Sequence, residues 1–221
     1  MKMTAGLFLI LLICSFATVA QSRWAVLFDG KSTAAWRGYK RDSFPEKGWA
    51  VENGALKTIV GGDRVDLITR EKYRDFELEL EWRVSPAGNS GIIYLVSEDE
   101  PQTYQTGPEM QVLDDAAHRD GQNSKTSAGS LYALIAPENK KLQPVGEWNK
   151  ARLVIRNGHV EHWLNAVKLL EYELGSEKLK GLIAESKFKD MPRFAQNREG
   201  HIALQHHGEE VWYRNIRIRR L

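Results

Sequence analysis

The sequence predicts an all-β protein: a two-sheet antiparallel jelly-roll sandwich. Two observations lead to this prediction. Apolar and polar side chains alternate along many short segments, and turns rich in Gly, Asn, Asp and Pro separate those segments. No stretch of similar length has the period of an amphipathic helix. Many short strands without a linker or a repeat are typical of a single sandwich domain.

The clearest strand is "FELELEWRV" at residues 76–84, where apolar and charged residues alternate over nine positions. Successive side chains of a strand point to opposite faces, so one face should be buried and the other solvated. Asn157-Gly158 and Asn53-Gly54 each separate two alternating segments and are typical of type I′ hairpin turns. The neighbouring strands should therefore be antiparallel. Three segments without alternation, 97–108, 114–130 and 184–200, are expected to be long loops that frame a binding site.

The N-terminus has the layout of a secretory signal peptide. Lys2 precedes an apolar run from Leu7 to Phe16, and small residues follow near Ala20. We therefore expect a signal peptide at residues 1–20, one domain at residues 21–221, and a secreted or periplasmic protein. The apolar run is shorter than the roughly 20 residues that span a bilayer, so we expect no stable membrane span. Lipidation of Cys14 is the disfavoured alternative, because the bulky Ile13 precedes it.

Composition excludes several classes of function. The formal net charge is +2 and the basic residues are scattered along the chain, which argues against nucleic-acid binding. The only cysteine is Cys14, so a chain cut after Ala20 forms no disulfide. The sequence contains no Cys/His zinc pattern, no phosphate-binding glycine loop and no nucleophile elbow. Hydride transfer and phosphoryl transfer therefore lack support.

Two strand candidates carry unusual polar residues on one face. In "GPEMQVLDD", Glu109 and Gln111 share a face opposite Met110. In "HIALQHH", Gln205 and His207 likewise share a face. If both strands belong to one sheet, these four side chains, together with Glu81 and Arg83, could converge on a concave outer surface. Such a surface could bind a polar ligand such as a sugar, which needs many directional donors and acceptors.

A solvated face without any function is the alternative interpretation, because antiparallel sheets often expose one polar face. The types of residue on these two strands favour a binding site over a solvated face without function. Solvated strand faces usually carry Lys, Glu and Thr, whereas Glu-x-Gln and Gln-x-His combine donors and acceptors on shorter side chains.

The motifs also resemble a known family. "LFDGKSTAAWRG", "GNSGIIYLV", "GPEMQVLDD", "VGEWNKARLVI", "KFKDMPRF", "GHIALQHHG" and "VWYRNIRIRRL" occur in the order found in the secreted 3-keto-disaccharide hydrolase domain family. The resemblance extends from about Trp24 to Leu221. It implies a concanavalin A-like jelly roll. It also implies an enzyme that cleaves glycosides whose C3 hydroxyl has been oxidised to a ketone by a separate sugar 3-oxidoreductase. Cleavage would be a net hydrolysis, by elimination followed by hydration.

We assign site residues on the combined basis of the polar face and this resemblance. Glu109 and His207 are the candidates for proton transfer, because the protein environment can shift the pKa of either side chain to near neutral pH. The candidates for binding substrate hydroxyls and the C3 oxygen are Arg83, Asn89, Gln111 and Gln205. The sequence requires no cofactor. A divalent cation held by Glu109, His207 and a nearby carboxylate is left open.

Two other functions compete with the enzyme. A non-catalytic carbohydrate-binding module should present exposed aromatic platforms and no acid or base with a shifted pKa. A structural or cell-surface interaction domain should present a flat polar face. An enzyme should bury Glu109 or His207 in a cleft.

Overall fold

The computed structural model describes residues 23–221, and these residues form an antiparallel β-sandwich. The predicted signal peptide at residues 1–20 lies outside the described residues. Thirteen strands occur in residues 23–221: β1 Ala25–Phe28, β2 Trp36–Gly38, β3 Trp49–Glu52, β4 Ala55–Thr58, β5 Leu67–Thr69, β6 Phe76–Val84, β7 Asn89–Val96, β8 Glu109–Leu113, β9 Asn149–Arg156, β10 His159–Leu164, β11 Val167–Glu173, β12 His201–Leu204 and β13 Val211–Arg220.

The strands form two sheets. The eight-stranded sheet has the order β11-β10-β9-β6-β13-β4-β3, with β1 paired to β13 as well. The five-stranded sheet has the order β2-β5-β12-β7-β8. The pairs are antiparallel, as the hairpin turns predicted. Asn157-Gly158 joins β9 to β10 and Asn53-Gly54 joins β3 to β4, and all four residues have the positive φ that a type I′ turn requires.

The core lies between the sheets and contains the apolar face of β6. All five apolar residues of that strand, from Phe76 to Val84, are buried. From the five-stranded sheet, Met110, Ile92 and Leu204 face them in the same cluster. The predicted alternation is therefore correct for both β6 and β8. One inner face of each sheet is buried, and the polar residues of each strand are left on the outer faces.

The outer face of the eight-stranded sheet carries paired charges. Three glutamates of β6 lie between basic residues of the flanking strands β9 and β13: Glu77 pairs with Arg152 and Arg219, Glu79 with Lys150 and Arg217, and Glu81 with Arg214. Opposite charges on adjacent strands stabilise a sheet. The expectation that Glu81 contributes to the same surface as Glu109 is wrong, because β6 and β8 belong to different sheets.

One α-helix, α1 at Glu177–Ala184, occurs in residues 23–221. The hydroxyl oxygen of Ser176 accepts a hydrogen bond from the backbone N–H of Leu179 at 3.1 Å and caps its N-terminus. None of the helices in residues 23–221 has the length and hydrophobicity of a membrane-spanning segment.

Candidate active site

Strand register places the predicted polar residues side by side on the outer face of the five-stranded sheet. In β7 and β8, Ile93 lies opposite Glu109 and Gly91 lies opposite Gln111. The pairing continues beyond β12, where the backbone N–H of Gln205 donates to the carbonyl oxygen of Gly91 at 3.0 Å. Gln111, Gly91 and Gln205 therefore form one row across the sheet, and Glu109 begins the next row.

A cavity of about 150 Å³ opens on this face. At about 30 Å³ per water molecule, it has room for about five waters, which is comparable with one sugar ring. Five of the six predicted site residues line it: Asn89, Glu109, Gln111, Gln205 and His207. The Glu-x-Gln pair of β8 and the Gln-x-His pair thus converge as predicted, although Gln205 and His207 follow the end of β12 at Leu204 and are not part of the strand.

Arg83 does not reach the cavity. It lies on β6 in the other sheet, with its guanidinium carbon 4.5 Å from the ring centroid of Trp212 and 5.0 Å from that of Trp148. Stacking between two indoles is a stabilising cation–π arrangement. Alternation assigned Arg83 to a polar face correctly, but that face belongs to the eight-stranded sheet.

Three further residues complete the lining of the cavity, and sequence reasoning had not identified them. They are Tyr104, Tyr132 and Lys187. Tyr104 lies in segment 97–108 and Lys187 in segment 184–200, two of the predicted loops. Tyr132 follows the third loop, and its backbone N–H donates to the carbonyl oxygen of Glu109 at 3.0 Å. The absence of alternation is sufficient to predict the loops. It does not predict which of their side chains point into the cavity, because loops have no periodic pattern.

Glu109 is the most strongly perturbed acid of the cavity. Its side chain is 6% exposed and lies over Gly91, where an added Cβ would come within 1.9 Å of its Oε1. Burial raises the pKa of Glu109 to about 8, although the positive charge of Lys187 opposes the rise. At neutral pH the carboxyl group is therefore mainly protonated and can donate a proton.

Two amides connect Glu109 to His118. The side-chain nitrogen of Gln111, oriented toward β7, donates to Glu109 Oε1 at 3.2 Å and to the carbonyl oxygen of Ser90 at 2.9 Å. The amide oxygen of Gln111 then faces the amide of Asn89, 3.3 Å away. Asn89 satisfies both neighbours if its nitrogen donates to Gln111 and its oxygen accepts from His118 Nε2, at 3.4 Å.

His207, which lines the cavity, and the nearby His118 have opposite hydrogen-bonding roles at Nδ1. His118 Nδ1 accepts from the backbone N–H of Asp120 at 3.1 Å, so a neutral His118 carries its proton on Nε2. His207 Nδ1 lies 2.9 Å from Glu209 Oε2, and a carboxylate only accepts, so a neutral His207 carries its proton on Nδ1. His207 Nε2 therefore has a free lone pair, as in histidines that act as general bases. The ring centroids are 6.0 Å apart.

The same hydrogen bonds bear on metal binding. In residues 23–221, His118, His207 and Glu209 place one potential ligand atom each within 4.8 Å of one another, as do His159, Glu161 and Glu171 on the other sheet. A metal ligand must offer a lone pair, but the His118 lone pair is occupied by the Asp120 N–H. The donor set therefore does not fit a metal in this arrangement. In the same range Glu109 belongs to neither cluster, and the cation that the sequence leaves open between Glu109 and His207 stays a prediction.

Asp66 holds two walls of the cavity together. Its Oδ1 accepts from the backbone N–H of His206 at 2.8 Å, between the lining residues Gln205 and His207. Its Oδ2 accepts from the hydroxyl of Thr103 at 2.5 Å, next to Tyr104. A single carboxylate thus positions the segment after β12 relative to the loop that carries Tyr104.

Comparisons with known proteins agree with this fold. The family described as a 3-keto-alpha-glucoside-1,2-lyase-like domain matches residues 23–219. A protein of Bacteroides thetaiotaomicron named 3-keto-disaccharide hydrolase is 38% identical over 226 aligned residues, which cover 89% of this chain and 78% of the relative.

Two solved structures are similar in fold. A protein of Parabacteroides distasonis described as a candidate glycosyl hydrolase has a TM-score of 0.82 at 32% identity, over 90% of this chain and 94% of its own. The endo-beta-1,3(4)-glucanase SCLam of family GH16 has a TM-score of 0.52 at 10% identity, over 89% of this chain and 91% of its own, and shows the fold alone. The sandwich is therefore the jelly roll of the glucanase type that the sequence predicted.

The buried carboxyl group predicts a specific dependence of stability on pH. Because the folded state raises the pKa of Glu109 from 4.5 to about 8, the unfolded state loses this proton first. The contribution of Glu109 to stability is therefore full below about pH 4.5 and is lost as pH rises through about 8. Glu109→Gln removes this loss. Chemical denaturation should show the variant more stable than wild type at pH 8.5, by at most roughly 5 kcal/mol, with little difference at pH 5. An equal difference at both pH values would contradict a raised pKa.

Gly91→Ala tests whether close packing keeps Glu109 buried. The new Cβ would lie 1.9 Å from Glu109 Oε1, so the carboxyl group should swing toward water and its pKa should fall. The decline in stability between pH 5 and pH 8 should then be smaller than in wild type. Gly181→Ala in α1 is the control, because an added Cβ there meets nothing within 4 Å. If Gly91→Ala kept the wild-type pH dependence, Gly91 would not be what makes room for Glu109.

Proposed function

Because the chain belongs to the 3-keto-alpha-glucoside-1,2-lyase-like domain family, we propose that it is a carbohydrate hydrolase whose substrates are 3-keto-glycosides. On this proposal it breaks the glycosidic bond by elimination and then hydrates the product, with net hydrolysis as the result. The names of its relatives support a hydrolase acting on sugars. The ketone-dependent route rests on the chemistry of the cavity.

The observation that carries the proposal is the kind of acid in the cavity. Among the lining residues in the described part of the chain, Glu109 is the only carboxylic acid, and its pKa is raised to about 8. Ordinary glycosidases generally use two carboxyl groups, one of them ionised as a nucleophile or base. A single, mainly protonated carboxyl group beside a histidine with a free lone pair suits a proton transfer from carbon instead.

The elimination uses one base and one acid. The C3 ketone acidifies the C2 proton, which His207 Nε2 removes, and the electron pair moves through C2=C3 to leave an enolate at the C3 oxygen. When the enolate collapses, a C1=C2 double bond forms and the C1–oxygen bond breaks. Glu109 gives its proton to the departing oxygen. Each positioned acid or base contributes typically 10²–10⁴-fold to the rate.

Hydration reverses these roles. Water adds at C1 of the unsaturated ketone, the ionised Glu109 takes the proton that this water loses, and a proton returns to C2 from His207, so the net reaction consumes one water and restores both residues. Glu209, 2.9 Å from His207 Nδ1, stabilises the imidazolium that forms between the two stages. The proposal requires neither a metal nor an organic cofactor, since every proton is held by a side chain of the cavity.

The proposal also has consequences for the reaction that precedes this enzyme and for its location. A 3-keto-glycoside must come from oxidation of a glycoside at C3, so a separate sugar 3-oxidoreductase acts first. The signal-peptide pattern of residues 1–20 supports a secreted or periplasmic enzyme. A non-catalytic carbohydrate-binding module has less support, because the cavity buries an acid with a shifted pKa.

The first experiment compares two substrates. Purified protein should cleave a 3-keto-glucoside and leave the unoxidised parent glucoside intact, because only the ketone acidifies C2. Products are followed by mass spectrometry, with and without a chelator, and the chelator should not lower the rate. Cleavage of the parent would point to an ordinary glycosidase. Loss of activity with the chelator, restored by a divalent cation, would contradict the metal-free route. Sugar binding without cleavage would favour the binding module.

Substitutions test the roles of the two proton-transfer residues. Glu109→Gln and His207→Gln should each lower kcat by 10²–10⁴-fold with correctly folded protein, since each removes one proton-transfer group. In the wild type, kcat should fall about tenfold per pH unit above about pH 8, where Glu109 loses its proton. His159→Gln is the matched control, because His159 also pairs with a carboxylate, Glu173 at 2.6 Å, but does not line the cavity. Near-normal turnover in either cavity variant would refute the assigned roles.

A further inference from the structure

Lys187 lines the cavity but has no part in the proton transfers described above. It follows α1 in segment 184–200 and is exposed overall, at the rim of the site. Its neighbours hold the backbone in place. Phe188 is buried and stacks on Phe194, with ring centroids 3.9 Å apart and an interplanar angle of 6°. The backbone N–H of Phe188 also donates to the hydroxyl oxygen of Ser186 at 3.1 Å.

The same loop is tied to a second wall of the cavity. The backbone N–H of Ala195 donates to the carbonyl oxygen of Thr106 at 2.9 Å, close to the turn that carries Tyr104. Lys187 is therefore attached to a fixed frame, although its side chain is long. This matters because a catalytic charge must be in place before the reaction begins.

The ammonium group is held by an aromatic ring and by no ion pair. Lys187 Nζ lies 4.2 Å from the ring centroid of Tyr132, a cation–π distance. In residues 23–221, Lys187 forms no ion pair, and neither Glu109 nor Asp120 hydrogen-bonds to it. The hydroxyl of Tyr132 donates to Asp120 Oδ2 at 3.0 Å, which fixes the ring that supports the ammonium. Partial burial lowers the pKa of Lys187, and the charges of Glu109 and Asp120 oppose this effect.

A lysine in such a place is suited to stabilise a negative charge that appears during the reaction. Because Glu109 is mainly protonated at neutral pH, it does not neutralise the ammonium. The elimination creates negative charge on one atom of the substrate, the C3 oxygen, when the C2 proton leaves. An unpaired cation directed at that oxygen would stabilise the enolate more than the neutral ketone, and only such a difference accelerates a reaction.

We propose that Lys187 is a further catalytic residue, which binds the C3 oxygen of the 3-keto-sugar and stabilises the enolate. This inference rests on the proposed function. No bond forms between Lys187 and the substrate, and its ammonium keeps its proton throughout. Lys187 thereby supplies the positive charge that a metal ion would otherwise provide.

A ketone without a leaving group separates this role from cleavage. In 1,5-anhydro-3-keto-glucitol, C1 carries the ring oxygen but no glycosidic oxygen, so the base and the enolate stabiliser can exchange the C2 proton with solvent while no aglycone can depart. Wild-type protein in D₂O should catalyse this exchange, measured by NMR. Lys187→Met should slow both the exchange and the cleavage of a 3-keto-glucoside by about 10²–10³-fold, the usual effect of removing one oxyanion donor. Lys187→Arg should restore part of the rate.

The matched controls are two variants. Lys189→Ala removes an exposed lysine of the same segment that does not line the cavity, and should have wild-type rates. Glu109→Gln should lose cleavage but keep the exchange, because the exchange needs no leaving-group acid. Melting temperatures of all variants verify that each is folded.

The outcomes distinguish failure of this inference from failure of the proposed function. If wild-type protein neither cleaves the 3-keto-glucoside nor exchanges the C2 proton, the proposed function is wrong. If wild type does both and folded Lys187→Met retains exchange within about threefold of wild type, the enolate role of Lys187 is wrong and the function stands. A sugar adduct on Lys187 after borohydride reduction would also overturn it, because the lysine would then act as a covalent nucleophile.

Discussion

The site depends on one constraint: the carboxyl group of Glu109 is kept out of water on the outer face of a sheet. Gly91 on the adjacent strand makes room for it, since any Cβ at that position would meet its carboxyl oxygen. Tyr104 and Tyr132 close the cavity from the loops. Desolvation disfavours the charged form, so the carboxyl group remains protonated to about pH 8. Its neutrality in turn leaves the ammonium group of Lys187 on the ring of Tyr132 without an ion-pair partner in the cavity.

Charged side chains form ion pairs on the outer face of the eight-stranded sheet, but those in the cavity of the five-stranded sheet largely do not. On the eight-stranded sheet, Glu77, Glu79 and Glu81 each contact a basic residue of a flanking strand, and Arg83 lies between two indole rings. The three glutamates are thus paired within the protein, and Arg83 is covered by aromatic rings and does not reach the cavity. In the cavity, Glu109 and Lys187 lack such partners, and His207 keeps one free lone pair. Groups left unsatisfied by the fold are those that can act on a ligand, which is why perturbed groups in a cleft indicate function.

Alternation in the sequence was sufficient to predict most of the strands, but not the three-residue β2 and β5, and it predicted the face on which Glu109, Gln111, Gln205 and His207 lie. Side chains alternate between the two faces of a strand, so the sequence pattern shows which residues share a face of one strand. It does not state which sheet a strand joins, and for that reason Arg83 was placed with the cavity although β6 belongs to the other sheet. Tyr104, Tyr132 and Lys187 escaped prediction because irregular loops have no period. Their positions follow from long-range contacts, such as that of Asp66 with the segments of Thr103 and His206.

The state of Glu109 also connects the cavity to the kind of substrate proposed. A neutral carboxyl group cannot attack an anomeric carbon or draw a proton from water, so burial that makes Glu109 an acid also removes it as a nucleophile. Cleavage must then start elsewhere on the sugar, at a C–H bond. An ordinary glycoside has no C–H bond that a histidine can deprotonate. A C3 ketone, in contrast, acidifies the neighbouring C2–H, because the negative charge of the enolate is delocalised onto the C3 oxygen. The cavity offers a histidine base, an acid for the leaving group and a cation for the C3 oxygen. This set matches an oxidised sugar and leaves the unoxidised sugar unreactive.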